Sequence, residues 1–261
     1  MAETPDIWAG ARLVTPARIG LPRAGASLAT SAQLAFRLAH ARARDAVHAE
    51  IDLPRLVGDL AGLAGPGAPL VLDSAAADRQ TYLLRPDLGR RLSASFERSL
   101  FGHPSELVVV LADGLSARAV QDQAVPVLAA LLPSLDADGW AIAPLVIVRQ
   151  GRVAIGDAIA QEVHATCVLV LIGERPGLSA PDSLGAYLTW RPGPATTDAD
   201  RNCISNIRPE GTKPPEAARR IALLLTRMRR RGYSGVALKD EAEAIALKDE
   251  AEAIAMTGEP T

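Results

Sequence analysis

Residues 167–208 read CVLVLIGERPGLSAPDSLGAYLTWRPGPATTDADRNCISNIR, and this stretch decides the fold class. Its first six residues are Cys and apolar residues, a pattern typical of a strand that is covered on both faces. This strand runs directly into a loop rich in Gly, Pro, Ser and charged residues, and a second short strand and a polar stretch follow. Because α/β proteins bind ligands at loops beyond strand ends, the stretch predicts a sheet with a site beside it.

The sequence around this stretch alternates between strand and helix patterns. We predict strands at 70–72, 106–112, 142–149 and 167–172, helices at 30–48, 53–63, 87–96, 117–132, 155–164 and 215–231, and a strand or turn at 78–83. Alternation at this spacing indicates βαβ units around a parallel sheet. The predicted fold class is therefore α/β, with a mostly parallel Rossmann-like sheet flanked by helices.

Three regions follow from the composition along the chain. Residues 1–68 are predicted to form an N-terminal arm and a helical region, and residues 69–236 the α/β domain. In residues 237–261 the sequence ALKDEAEAI occurs twice, at 237–245 and again at 246–254. A period of nine does not match a heptad, so no coiled coil is expected. We predict an exposed, partly helical tail, with a docking peptide as the alternative.

The overall composition excludes several classes of function. The net charge of −2 and the aromatic content of 3% give no basis for nucleic-acid binding. The apolar runs are of strand length, too short to cross a membrane. Two widely separated cysteines indicate no disulfide framework and a reducing cytosol. The first residues do not resemble a secretory signal, so a cytoplasmic location is expected.

Standard catalytic and metal-binding signatures are absent from the sequence. It contains no phosphate-binding Gly-rich loop, no dinucleotide fingerprint and no nucleophile elbow. The four histidines form no metal-ligand spacing with the cysteines. We therefore predict neither a metal site nor a catalytic residue in this chain.

Two of the four loops that follow predicted strands are candidates on weaker grounds. Residues 112–116 contain Asp113 and Gly114, and they form either a strand-to-helix connection or the rim of a ligand site. Residues 149–157 read RQGRVAIGD, in which Asp157 is expected to cap a helix. The glycines there expose backbone groups to which a flat ligand has access.

The other two loops carry stronger chemical signals. Glu174 directly follows an apolar strand, so its carboxylate is expected at the carboxyl edge of the sheet, where it can accept hydrogen bonds from amides. Pro176 and Pro181 stiffen the loop that displays it. Cys203 lies in the polar stretch 197–208 and is either a ligand contact or a reactive thiol, whereas Cys167 is expected in the core.

Eight short stretches, in collinear order from about residue 15 to residue 240, resemble the small (light) subunit of ethanolamine ammonia-lyase. They are TPARIGLPRAG (15–25), LAHARARDAVH (38–48), RPDLGRRLS (85–93), ADGLSARAV (112–120), GRVAIGD (151–157), LIGERPGLSAPDSLGAYLTW (171–190), RNCISNIRPEG (201–211) and SGVALKD (234–240). Each stretch is short, but so many in the same order do not arise by chance.

The resemblance implies a lyase that converts ethanolamine to acetaldehyde and ammonia with adenosylcobalamin. It implies that a large subunit, a TIM barrel, holds the substrate and that this chain covers the cofactor. The family's cobalamin contacts correspond here to Val153, Glu174 and Cys203. The chain lacks the D-x-H-x-x-G pattern with which some cobalamin proteins replace the cofactor's own base, so base-on binding is implied.

The resemblance also implies that the chain assembles with a large subunit, and two alternative functions remain beside it. A higher-order hetero-oligomer with the large subunit is expected. Only residues 1–14 precede the TPARIGL motif, which does not favour targeting to a bacterial microcompartment. The alternatives of a different class are a non-catalytic α/β nucleotide-binding module and a structural interaction module that touches no cofactor.

Overall fold

The computed structural model of the chain describes residues 7–15, 17–63, 67–95 and 105–238. The helices are α1 (Ala9–Val14), α2 (Thr30–His48), α3 (Leu53–Ala61), α4 (Arg79–Leu84), α5 (Ala117–Ala137), α6 (Ile155–Glu162) and α7 (Pro214–Arg231). The strands are β1 (Arg23–Ala24), β2 (Ser27–Leu28), β3 (Leu70–Asp73), β4 (Leu107–Ala112), β5 (Val146–Arg149), β6 (Cys167–Gly173), β7 (Leu184–Trp190) and β8 (Arg201–Ile207). No helix within these ranges is both long enough and apolar enough to cross a membrane.

Six strands form one sheet in the order β3-β5-β4-β6-β7-β8. The first four are parallel to one another, and β7 and β8 continue the sheet with antiparallel pairing. Every residue of β4 and β6 is buried, as the uninterrupted apolar runs of these strands predict. The prediction of an α/β fold with a mostly parallel sheet flanked by helices is confirmed.

Alternate residues of the strands pack into two apolar clusters on opposite faces of the sheet. On the first face, Leu107, Val109 and Leu111 of β4 lie in one cluster with residues of α3, α5 and α7. On the second face, Val108 and Val110 pack with α6. This two-residue period is the geometry of a strand, and it gives each strand two different environments.

The loops that leave β4 and β6 approach each other so closely that glycine is required. Gly114 has φ +56°, and a Cβ there would overlap the carbonyl oxygen of Gly173. The carboxylate of Asp113 accepts hydrogen bonds from the backbone N–H groups of Gln150 (2.9 Å) and Gly151 (3.1 Å). These contacts hold the carboxyl ends of β4, β5 and β6 together.

Several predicted element boundaries were wrong, and the helices changed most. The strand or turn predicted at 78–83 is helix α4, which begins after Asp78 because the Asp78 carboxylate caps it through the N–H of Thr81. The helix predicted at 87–96 is reduced to a 3-10 turn, Leu88–Arg90, and Leu92 then forms a bridge with Ser74. The end of that prediction lies outside the described residues.

Two strand predictions were also wrong. Strand β5 starts only at Val146, because Pro144 cannot donate to the ladder. The stretch predicted as the loop 197–208 is mostly strand β8, since Ile204 and Ile207 face the core while the residues between them are exposed. Residues 7–28, predicted as an arm, include α1 and the β1–β2 hairpin, and most of the repeat tail lies outside the described residues.

Candidate functional site

Of the three residues predicted to contact a ligand, Glu174 and Cys203 lie beside strand β7, and Val153 packs against the apolar cluster of the second face. Glu174 is the first residue after β6, Cys203 is the third residue of β8, and Val153 lies in the turn before α6. We name the group of Val153, Glu174, Gly185, Tyr187 and Cys203 the β7–β8 surface. Cys203 is exposed there, in contrast to its buried neighbour Ile204 on the first face.

Glu174 is held in place by one oxygen of its carboxylate. Oε2 accepts hydrogen bonds from Ser183 Oγ (2.5 Å) and from the backbone N–H of Asn206 (3.2 Å). The backbone N–H of Glu174 donates to the carbonyl of Ser183 (2.9 Å), which closes the base of the loop. No donor within the described ranges bonds Oε1, so this oxygen can accept from a ligand amide.

Hydrogen bonds to three of its backbone carbonyl groups hold the loop that carries Glu174. They add to the stiffness expected from its two prolines. Ser116 Oγ donates to the carbonyl of Pro181 (2.8 Å), and Arg208 donates to the carbonyl of Ser179 (3.2 Å). From the N-terminal region, Arg18 donates to the carbonyl of Leu178 (3.4 Å). Contacts from α5, β8 and the TPARIGL segment therefore give this loop one fixed shape.

Cys203 lies opposite Tyr187 on the antiparallel pair β7–β8, and their side chains interact. Burial raises the pKa of the Tyr187 phenol, and the neighbouring Cys203 and Glu174 raise it further. The phenol is therefore neutral at physiological pH. Sequence reasoning missed Tyr187, because a Tyr in an apolar strand gives no local sign of which face it occupies.

Val153 contributes an apolar side chain to the edge of this surface. The side chain is partly buried against the same apolar cluster that Tyr187 contacts. Its carbonyl accepts from the N–H of Gly156 (3.1 Å) in the turn that starts α6. Gly156 allows α6 to lie close to β6, because a Cβ there would overlap the side chain of Val170.

The predicted helix cap Asp157 has a different role. It lies inside α6, and both its oxygens accept from Arg201 at 2.6 Å. The two side chains are 8% and 4% exposed, and Arg201 also donates to Thr189 Oγ1 (3.1 Å). This buried ion pair joins the segment of Val153 to the strand of Cys203. The capping prediction failed because the partner is 44 residues away in sequence.

The loop of Asp113 belongs to a different place on the molecule. A cavity of about 610 Å³ lies beyond the carboxyl ends of β3, β4 and β5, and its polar lining includes Glu50, Asp73, Asp113 and Arg149. None of the three predicted contact residues lines it. Within the described residues, no group of His, Cys, Asp or Glu could hold a metal ion.

Comparison with known proteins identifies the family. The sequence model described as ethanolamine ammonia-lyase light chain (EutC) matches residues 5–239. The chain belongs to this family. The match includes Val153, Glu174 and Cys203 and ends before the second copy of the C-terminal repeat. The resemblance inferred from the short motifs is confirmed.

Individual relatives agree with the family over nearly their whole length. The chain is 52% identical over 248 residues to the ethanolamine ammonia-lyase small subunit of Azotobacter vinelandii, covering 92% of this chain and 90% of that protein. It is 50% identical over 248 residues to the small subunit of Pseudomonas fluorescens SBW25, covering 92% and 89%. It is 49% identical over 246 residues to that of Ralstonia nicotianae, covering 92% and 90%.

Proposed function

We propose that this chain is the small subunit of an adenosylcobalamin-dependent ethanolamine ammonia-lyase, which converts ethanolamine to acetaldehyde and ammonia. In this proposal the β7–β8 surface binds the cofactor and covers it against a large subunit that holds the substrate. Family membership supports the reaction. The observation that carries the cofactor role is that Glu174, Tyr187 and Cys203 lie together on the second face of the sheet, while Val153 packs against the same apolar cluster as Tyr187.

The chemistry of this surface fits a cobalamin. A corrin is a flat macrocycle whose rim carries amide groups, and it needs apolar contacts below and acceptors at the edge. Val153 and Tyr187 offer apolar surface, and Gly185 adds no side chain between Tyr187 and Glu174. Because Ser183 holds Glu174 by Oε2, Oε1 would be left to accept from a rim amide. Base-on binding is part of this proposal because the sequence lacks the D-x-H-x-x-G pattern.

In this proposal the residues of this chain position the cofactor and shield it from solvent, and the large subunit provides the substrate pocket. When bound, the cofactor supplies the radical by cleavage of its Co–C bond. The only carboxylate of the surface, Glu174, is already held by Ser183 and Asn206, which suits a binding group better than a proton-transfer group. We therefore assign no catalytic residue here and expect this chain to be inactive without its large subunit.

Reconstitution tests the assembly and the reaction. The purified chain, the large subunit and the mixture of both are assayed for acetaldehyde formed from ethanolamine with adenosylcobalamin. We expect acetaldehyde only from the mixture, and a hetero-oligomer larger than one copy of each chain by light scattering. If correctly folded partners give no acetaldehyde, the proposed reaction is wrong. Binding of ATP or NAD to the isolated chain, measured by calorimetry, would instead favour the nucleotide-binding alternative.

A substitution at Glu174 tests the cofactor site. We expect Glu174→Lys to weaken adenosylcobalamin binding by the two-subunit complex about tenfold or more, because it replaces an acceptor by a donor, and Glu174→Gln by about threefold. The dissociation constant is measured by visible absorbance. The matched control is Glu216→Lys, an exposed charge reversal at the start of α7. Equal affinity for wild type and Glu174→Lys would remove this residue from the site.

A further inference from the structure

Tyr187 lies at the centre of the β7–β8 surface. Its Cα is the register partner of the Cys203 Cα, and the two side chains interact. Its Cε2 and Glu174 Oε1 lie 3.1 Å and 3.0 Å from the point where a Cβ on Gly185 would stand. Tyr187 therefore adjoins two of the three predicted contact residues directly, and it shares an apolar cluster with the third, Val153.

The environment of this ring is unusual for the chain. The protein has three Tyr, three Trp and three Phe in 261 residues, so an aromatic ring on a sheet face with an exposed neighbour is uncommon here. The ring is half-buried, because one part rests on the apolar cluster of the second face while another part remains accessible. The cross-strand neighbour Cys203 and the support of that cluster restrict the orientation of the ring.

Tyr187 also has chemistry that complements Glu174. Flat ligands bind well on aromatic rings, which present a large apolar area with little conformational entropy to lose. Gly185 is buried and contributes no side chain, so the ring and the carboxylate approach each other there. A flat ligand can therefore contact the ring with its face while an amide on its rim donates to Glu174 Oε1.

We propose that Tyr187 is a further cofactor-contact residue, whose ring forms the apolar floor under the cofactor and whose hydroxyl sets the ring's orientation through Cys203. This inference rests on the proposed function, since the flat ligand is the corrinoid of that proposal. The inference adds Tyr187 to the proposed contact residues and assigns separate roles to its ring and its hydroxyl. The ring provides affinity, and the hydroxyl provides orientation.

The test uses the assembled two-subunit complex and titrates it with adenosylcobalamin, followed by visible absorbance. Three variants separate the parts of the side chain: Tyr187→Phe removes the hydroxyl, Tyr187→Leu keeps apolar volume without a flat face, and Tyr187→Ala removes both. We expect Tyr187→Ala and Tyr187→Leu to weaken binding about tenfold or more and Tyr187→Phe by no more than about threefold. Tyr233→Phe, outside the surface, is the control.

A second readout reports on the hydroxyl without the cofactor. The rate at which Cys203 reacts with Ellman's reagent is expected to fall about threefold in Tyr187→Phe, because the phenol hydroxyl no longer stabilises the thiolate that attacks the reagent, and to remain unchanged in Tyr233→Phe. Cys167 is fully buried and does not interfere. An unchanged rate in Tyr187→Phe would contradict the orientation role.

The outcomes distinguish this inference from the proposed function. If the wild-type complex binds no adenosylcobalamin, the proposed function is wrong and the inference with it. If wild type binds and both Tyr187→Ala and Tyr187→Leu remain within about twofold of it, only the inference is overturned. Should Tyr187→Ala fail to fold, Tyr187→Leu decides. A loss in Tyr187→Phe as large as in Tyr187→Leu would make the hydroxyl the contact and overturn the role of the ring.

Discussion

Adjacent residues of strand β8 occupy opposite environments. Ile204 is 2% exposed and lies in the large apolar cluster with α5 and α7, while Cys203 is exposed on the second face. Strand β6, two places away in the sheet, is buried along its whole length on both faces. The comparison shows that the central strands β4 and β6 are scaffold along their whole length. In the antiparallel edge one face is scaffold and the other displays the candidate site.

The largest expected effect concerns the buried ion pair that connects the two halves of the site. We expect Asp157→Ala to lower the free energy of unfolding by about 3–5 kcal/mol, because it leaves the Arg201 guanidinium buried without its carboxylate. Urea denaturation measures the change. Asp122→Ala, which removes an exposed partner of Arg118, is the control and should cost less than about 1 kcal/mol. Similar small losses in both variants would show that the buried pair does not hold α6 to β8.

The second prediction compares the two faces of β8 directly. We expect Ile204→Ala to lower the free energy of unfolding by about 2–4 kcal/mol, since it leaves a cavity in the core. Cys203→Ala, one residue earlier, should remain within about 0.5 kcal/mol of wild type. Urea denaturation again provides the values. A loss at Cys203 equal to that at Ile204 would mean that the second face of β8 is also structural.

The smallest expected effect compares two helical glycines. We expect Gly156→Ala to destabilise the fold by about 1–3 kcal/mol, because the new Cβ overlaps Val170 and forces α6 away from β6. In α3, a Cβ at Gly58 meets nothing within 4 Å, so Gly58→Ala should stabilise the protein by up to about 1 kcal/mol through helix propensity. Thermal unfolding of the two variants measures whether each substitution stabilises or destabilises the protein. A stabilising Gly156→Ala would refute the close packing of α6.

Much of the scaffold was predictable because its signals are local. The uninterrupted apolar runs predicted β4 and β6, and the apolar periodicity predicted α2 and most of α7, although no side chain caps the start of either helix. The secondary-structure prediction was wrong for a polar stretch that forms a strand with only one buried face. Strand β8 shows only two apolar positions toward the core, so its sequence is as typical of a loop as of an edge strand.

The sequence by itself determined the α/β class, the family and the three candidate contact residues, since each of these depends on short runs of neighbouring residues. Only the tertiary structure decided that Glu174 and Cys203 lie beside Tyr187 on the second face, that Val153 packs against the same apolar cluster, and that Asp157 pairs with Arg201. The physical reason is that strand register and helix packing bring together side chains that are far apart along the chain. No local pattern encodes which distant charge or ring will complete a site.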